Sequence, residues 1–376
     1  MKKAIVSRIF WYNYFKKRVR ESFMLARLKR FDAKLDEKEL DAMLVTGQNN
    51  IYYLTGFWGT AATVFISKTR RLFVTDARYT LIAKQTVQGF DIIESRDALS
   101  EIAKAIASDA ISTIGFDSQV SFAYYQTLQG VFAGYDLVAT TNFMEELRMI
   151  KDTSEIATIR KACSISDRAF TDMLDFIKPG QTTELQVANF LDFRMREYGA
   201  SGVSFETIAV SGYRSAMPHG VASEKVIQSG ETLTLDFGCY YNHYVSDMTR
   251  TIHIGETTDE EREIYDVVLR ANQAVIDSVK AGMTRRDYDK LARDVIEKAG
   301  YGEHFTHGIG HGIGLDIHEI PFFGNSDELV EVGMTITDEP GIYLDNKYGV
   351  RIEDDLVVTE KGCEVLTLAP KELIVL

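Results

Sequence analysis

The chain has 376 residues, 45% hydrophobic and 26% charged, with a formal net charge of −13. That length accommodates two domains of ordinary size, and the composition is that of a soluble globular protein. The negative balance disfavours nucleic acid or an anionic membrane as partner. No apolar run approaches the roughly 20 residues that span a bilayer. Cys163, Cys239 and Cys363 form an odd set without CxxC spacing, which points to a reducing cytoplasm and no disulfide framework.

Residues 1–23 differ from the rest. Lys2, Lys3, Arg8, Lys16, Lys17, Arg18 and Arg20 against Glu21 give this segment +6, leaving −19 on residues 24–376. Arg8 interrupts the apolar stretch and no small-residue cleavage site follows, which argues against a secretory signal. Phe10-Trp11-Tyr12 between basic flanks is compatible with a membrane surface. The simpler expectation is that the fold begins at Met24 and the extension takes no part in it. From there Leu25, Leu28, Phe31, Leu35 and Leu40 recur near a helical period. DAMLVT (41–46) reads as a strand, NIYYLTGF (50–57) as a short segment ending at glycine, and TVFISKTRRLFVTDARY as a hairpin turning at Lys68-Thr69-Arg70. A helix near 78–88, the strand FDIIE, a helix near 99–108 and the strand STIGFD complete a small α/β domain over 24–151. The charged run 140–170 lacks Gly and Pro, so a helical bridge with one break is expected, with the boundary near Lys151 and Asp152.

The second domain, 152–376, opens with two helices, one ending at Lys178-Pro179-Gly180 and one running from a Thr-Thr-Glu cap to Tyr198-Gly199. Strands over 203–211 and 231–254 follow, then helices over 258–281 and 284–299. KPGQTTELQVANFLDFRMREYGA resembles KAGMTRRDYDKLARDVIEKAGYG in its turn, cap, helix and terminal glycine. Each copy leads toward one acidic hairpin, the pattern an internal duplication would leave.

Those hairpins carry the chemistry. Facing residues in a hairpin have numbers that sum to a constant. Asp236 and Asp247 face one another if the first turn centres between Tyr241 and Asn242, and Glu339 and Glu353 do so if the second centres on Asn346. Each hairpin then presents two carboxylates on one face, a destabilising arrangement unless a cation neutralises it. HFTHGIGHGIGLDIHEIP (304–321) adds four of the seven histidines, spaced by glycines that let backbone approach a ligand closely. Four carboxylates with an imidazole call for two divalent cations, Mn²⁺ first and Co²⁺ or Zn²⁺ next; a closed zinc site would want a Cys and His set. Two such ions lower the pKa of a shared water and clamp a reacting carbonyl, which describes hydrolysis. His219 (in AMPHG), His307 and His318 are the imidazoles available to hold charge on a carbonyl oxygen. His304 reads as a solvated surface residue, and Cys239 as a small buried hydrophobe.

LDFG with a second aspartate eleven residues on, MPHG, HGIGHGIGLDIHE, DEPGIY and GVRIEDD occur in this order. On these motifs, residues 24–376 resemble the pita-bread metallopeptidase family, in the Xaa-Pro branch that contains aminopeptidase P and prolidase. The resemblance implies an α+β chain: a small creatinase-like α/β domain, then a pita-bread catalytic domain with pseudo-twofold symmetry. It implies that Asp236, Asp247, His311, Glu339 and Glu353 bind two metals, with Asp247 and Glu353 touching both. Glu339 would shuttle the proton of the bridging hydroxide, His219 and His318 would hold substrate and intermediate, and Arg351 would support the ligands. Small proline-containing peptides are the implied substrates, and a homodimer the implied assembly. A bond preceding proline lacks an N–H and has a fixed φ, so a dedicated pocket suits it, and Tyr213, Phe205 and Tyr343 are candidate walls. In several dipeptidases of the family an arginine after the His-Glu-x-Pro run holds the free carboxylate of the dipeptide. Phe322 stands at that place here, leaving room for longer Xaa-Pro peptides. Asp338 replaces an apolar residue, and strand alternation should turn it away from the metals. A methionine-aminopeptidase-like enzyme shares the ligand set, but the added N-terminal domain argues against it. Creatinase-like amidinohydrolases lack the complete set, and a non-catalytic peptide-binding module would have eroded it.

Overall fold

The computed structural model describes residues 22–376, so the expectation for the basic extension lies almost wholly outside the described residues. Residues 22–37 are helical (α1), and the chain divides into a unit ending at Arg148 and a unit beginning at Met149.

Six strands organise the first unit: β1 (Ala42–Val45), β2 (Ala62–Ser67), β3 (Arg71–Thr75), β4 (Asp91–Glu94), β5 (Thr113–Asp117) and β6 (Asp136–Thr140). They form one sheet in the order β4-β3-β2-β1-β5-β6, with β1 antiparallel to β2 and parallel to β5. All four residues of β1 are buried, as an apolar run inside a sheet covered on both faces requires. The β2–β3 hairpin turns at Lys68–Arg70 as expected, closed by the Ser67 N–H on the Arg70 carbonyl at 2.8 Å. The segment ending in glycine is helix α2 (Gln48–Thr55), stopped by Gly56 at φ 68°. Beyond it lie α3 (Thr80–Thr86), α4 (Ala98–Ile106) and α5 (Phe122–Val131). Leu99, Ile102 and Ile106 of α4 and Leu128 of α5 share a core with Leu44, Phe65 and Val74. The sequence does not announce α5 and β6. Only Leu128 of α5 is buried and no residue of β6 is, so neither carries a clear apolar period.

Helix α6 (Phe143–Met149) and α7 (Thr153–Phe176) form the bridge with a single break. The break is a capping box: the Asp152 carboxylate accepts from the Ser154 and Glu155 N–H groups, while Glu155 accepts from the Asp152 N–H at 2.8 Å. The second unit continues with α8 (Glu184–Glu197), β7 (Gly202–Val203), β8 (Ile208–Ser211), β9 (Glu231–Phe237), β10 (Cys239–Tyr241), β11 (Tyr244–Val245) and β12 (Met248–Ile254). Then come α9 (Asp259–Ser278), α10 (Arg285–Lys298), β13 (His311–Gly312), β14 (Glu319–Phe322), β15 (Thr335–Asp338), β16 (Gly341–Leu344), β17 (Tyr348–Arg351), β18 (Asp354–Thr359) and β19 (Gly362–Val365). The strand expected over 203–211 is thus two short ones. Sheets β12-β9-β8 and β14-β13-β15-β18-β19 carry the acidic strands.

Two cores lie behind these sheets. Phe170 and Met173 of α7 and Leu191 of α8 pack with Leu233, Leu235 and Ile252; Val268 and Val275 of α9 and Ile296 of α10 pack with Ile336, Leu356 and Val358. The internal repeat seen in the sequence reappears in the backbone. Gly180 (φ 74°) and Gly282 (φ 87°) donate to the Ile227 and Val330 carbonyls, each at 2.8 Å. Thr183 and Thr284 cap α8 and α10 and bridge to Val226 and Leu329. Among the described residues no helix is long and apolar enough to cross a membrane.

Candidate active site

The first acidic hairpin differs from its expected register by one step. Asn242 (φ 47°) and His243 (φ 73°) occupy its turn, and Tyr241 pairs with Tyr244. Two successive residues with positive φ make a two-residue turn, so the hairpin centres between Asn242 and His243 and Asp236 opposes Thr249. Asp247 lies diagonal to Asp236 rather than opposite it. Moving both arms together preserves parity, so both carboxylates stay on one face. The second hairpin has the expected register: Asn346 (φ 59°) is at its centre, and the pairs Asp338–Asp354 and Gly341–Arg351 bracket Glu339 and Glu353.

His311 completes the set from β13. A Cβ on Gly310 would sit 2.3 Å from the Thr337 carbonyl, so only glycine allows the approach of β13 to the β15 strand end. His311 Nδ1 lies 3.1 Å from the Gly312 carbonyl, which can only accept, so Nδ1 carries the proton and Nε2 is bare. Nε2 lies 3.7 Å from Asp247 Oδ2 and 3.6 Å from Glu339 Oε1. One ligand atom each of Asp247, His311 and Glu353 fall within 4.8 Å of one another. Asp236 Oδ1 is buried with no hydrogen-bond partner. An unpartnered buried oxygen, the buried carboxylates of Asp247 and Glu353, the partly buried one of Glu339 and one bare imidazole nitrogen fit a hard or borderline divalent cation.

The electrostatics say the same. Burial raises the pKa of Asp236; burial and then the Asp236 charge push Asp247 well up. Glu353 is raised well above its ordinary value by burial and then Asp247, and Glu339 is pushed up to about 8, chiefly by burial. Burial and then His318 lower His311 to about 4, so its imidazole is neutral and free to ligate. Arg351 opposes the crowding: its guanidinium reaches Asp236 Oδ2 at 2.7 Å, Tyr343 Oη and Thr249 Oγ1 at 2.9 Å, and the Pro218 carbonyl at 3.3 Å.

Above the ligands is a cleft of about 530 Å³ whose lining includes Phe205, Ile208, Pro218, Val221, Ile317 and Phe322. His219, His307 and His318 line it too, the His318 ring edge-on to His311 with centroids 4.3 Å apart. His307 is tied back: Nδ1 donates to the Gly308 carbonyl, and Nε2 takes the Tyr343 hydroxyl at 2.8 Å, joining it through Tyr343 to Arg351. Tyr343 is therefore buried beneath the cleft rather than part of its wall. Tyr213 does not line the cleft. The 3₁₀ turn Gly212–Ala216 buries Ser215 and leaves Tyr213 52% exposed. Phe322 is half exposed at the rim.

Sequence reasoning missed two supports behind the ligands. Asp355 accepts the Asp247 N–H at 2.9 Å and the Cys163 thiol at 3.2 Å, and burial pushes it up to about 8. Its place two residues after Glu353, on the same strand face, was a usable signal. Arg250, 1% exposed, donates to the Glu353 carbonyl at 2.6 Å and to Asp354 at 2.8 Å. Despite burial, Arg250 and Lys371 hold Asp354 down to about 2. Asp338 faces away from the ligands, as expected, and accepts from Asn272 at 3.1 Å.

The sequence of the Xaa-Pro dipeptidase of Pyrococcus horikoshii is 35% identical, over 93% of this chain and 99% of that one. A solved structure of an Xaa-Pro dipeptidase from Bacillus anthracis is 44% identical with a TM-score of 0.91, covering 94% of this chain and 100% of that one. An X-Pro aminopeptidase from Thermotoga maritima is 38% identical with a TM-score of 0.85, covering 90% and 98%. Residues 27–150 match the creatinase/prolidase N-terminal domain, and residues 157–360 match metallopeptidase family M24. The chain belongs to metallopeptidase family M24, in its two-domain form with a creatinase/prolidase N-terminal domain.

Proposed function

We propose that this metallopeptidase removes the N-terminal residue from small peptides whose second residue is proline, using two divalent ions held by Asp236, Asp247, His311, Glu339 and Glu353. The observation that carries the reading is the convergence of four carboxylates, Asp247 and Glu353 buried and Asp236 and Glu339 partly so, with one bare imidazole nitrogen in a cleft also lined by His219 and His318. The names of the P. horikoshii, B. anthracis and T. maritima proteins support the choice of bond. Mn²⁺ suits the oxygen-rich donor set best, with Co²⁺ or Zn²⁺ next. When bound, the ions acidify a water and polarise the scissile carbonyl.

The residues of the chain do the remainder. Glu339, which the bound ions hold as the carboxylate, accepts the proton of the attacking water and returns it to the departing prolyl nitrogen. His318, its pKa lowered by burial and by His219, is neutral and presents an N–H to the oxygen that gains charge. His219, which lines the same cleft, binds the substrate. Arg351 keeps Asp236 ionised and oriented. The apolar lining receives the pyrrolidine ring and excludes water. Three free cysteines accord with work in a reducing cytoplasm. The test is chelation: treated protein should lose hydrolysis of Xaa-Pro substrates and regain it with Mn²⁺, whereas full turnover by metal-free protein would defeat the reading.

A further inference from the structure

His318 and Glu319 are consecutive but have opposite surroundings. His318 is exposed at the cleft, while Glu319 is 5% exposed and faces the interior. There Glu319 Oε1 meets Lys151 Nζ at 2.7 Å, with 3% and 1% of the two side chains exposed. Lys151 Nζ also reaches the Met149 carbonyl at 3.3 Å. The backbone of Lys151 is itself fastened: its N–H donates to the Gly333 carbonyl at 2.9 Å, and Ile150 bridges to Met334 just before β15. Gly314 makes the room, because a Cβ there would lie 2.4 Å from Glu319 Oε1. The loop between β13 and β14 is held at its start by Ile313 on the Thr335 carbonyl (3.1 Å) and by Val245 on the Gly314 carbonyl (3.0 Å). Its far end, where His318 sits, is held by the pairing of Glu319 with Gly312 in the sheet and, on the side-chain side, by the ion pair.

A buried ion pair adds little net stability against apolar residues of the same volume, but losing one partner leaves an uncompensated charge. Such a pair fixes geometry rather than stability. We propose that Lys151 is a positioning residue for the reaction: through Glu319 it sets the place of the His318 imidazole above the metal ligands. This rests on the role given to His318 in the proposed function. The pair lies outside the ligand set and outside the cleft lining, but Glu319 adjoins both His318 and, across the sheet, His311, so metal content is read beside turnover to separate the two routes.

The experiment is a double-mutant cycle on the metal-loaded full chain with an Xaa-Pro peptide. K151M should lower kcat by about 10- to 100-fold, with KM changed less than about threefold and metal content unchanged. A positioning effect exerted in the transition state has this signature. In an H318A background K151M should add less than about threefold. An equal loss in both backgrounds, a matching loss of metal, or wild-type kcat in folded K151M would overturn the proposal. If K151M does not accumulate, K151M/E319Q removes both charges together, and G314A displaces the Glu319 carboxylate with Lys151 intact; both should reproduce the kcat loss. Wild-type kcat in H318A would count against the proposed reaction and not against the coupling. The ring resonance of His318, identified by its disappearance in H318A, then decides: it shifts in K151M if Lys151 sets the ring and stays put if it does not.

Discussion

Stripping the metals should make the stability of the protein fall as pH rises. Glu339 goes from an ordinary value of 4.5 to about 8 in the metal-free fold because it is buried. A carboxyl raised on folding contributes stability that is complete below its unfolded pKa and is lost as pH climbs through the folded one. At about 1.4 kcal/mol for each pH unit, the window from 4.5 to about 8 amounts to roughly 5 kcal/mol for Glu339. That is comparable to the whole stability of a small domain, about 5–15 kcal/mol. Asp236, Asp247 and Glu353 are raised in the same direction and add to the slope. Bound divalent ions reverse it, because they require the ionised forms and stabilise by about 2.7 kcal/mol at a hundred times their Kd. Urea unfolding at pH 5, 6.5 and 8, with chelator and with Mn²⁺, measures the effect. The chelated midpoint should fall across the series, the Mn²⁺ midpoint should not, and the gap should be widest at pH 8. Chelated and Mn²⁺ curves that run parallel would mean the carboxylates compensate one another without metal, and the charge argument would fail.

Four further outcomes follow from the same site. Replacing Glu353 with Gln should lower metal occupancy measured on desalted protein and cut kcat by at least about 100-fold, on the scale of losing an essential polar group; normal occupancy would exclude Glu353 as a ligand. Replacing Arg351 with Lys keeps the charge but not the fork that spans Asp236, Thr249, Tyr343 and Pro218. Calorimetric titration should then show metal affinity about 10- to 100-fold weaker. Xaa-Pro-Xaa tripeptides should have a higher kcat/KM than matched Xaa-Pro dipeptides. Phe322→Arg should raise the dipeptide value about tenfold, the worth of one hydrogen bond to a charged group.

Most of this arrangement was legible because the period-two pattern of a hairpin fixes which residues share a face, and Asn346 marks its own turn. The first hairpin shows the limit. Asn242 signals a turn, and His243 beside it is of a type that also tolerates positive φ, but type alone does not say that both adopt it, so the centre lies one residue further along than the sequence suggests. Parity absorbed the error. The α5–β6 edge was lost because its side chains are half exposed. Tyr213 was misleading for a related reason: proximity in sequence to His219 says nothing about which side of a 3₁₀ turn a ring takes. Asp355 and Arg250 support the ligands from behind, and only the folded strands bring them within reach of Asp247 and Glu353.

The matching glycine, threonine and helix arrangements ahead of β9 and β15 bear on how a site of this kind is put together. Each half brings one acidic hairpin, so a half-length chain would hold two carboxylates and depend on meeting a second copy to assemble four. A chain that carries both halves has a fixed effective concentration in place of that encounter, and each half can specialise. The second half alone carries His311, and it lends its linker-facing Glu319 to Lys151. Asymmetry of that kind is closed to an assembly of identical copies, in which every change made on one side of the site must appear on the other.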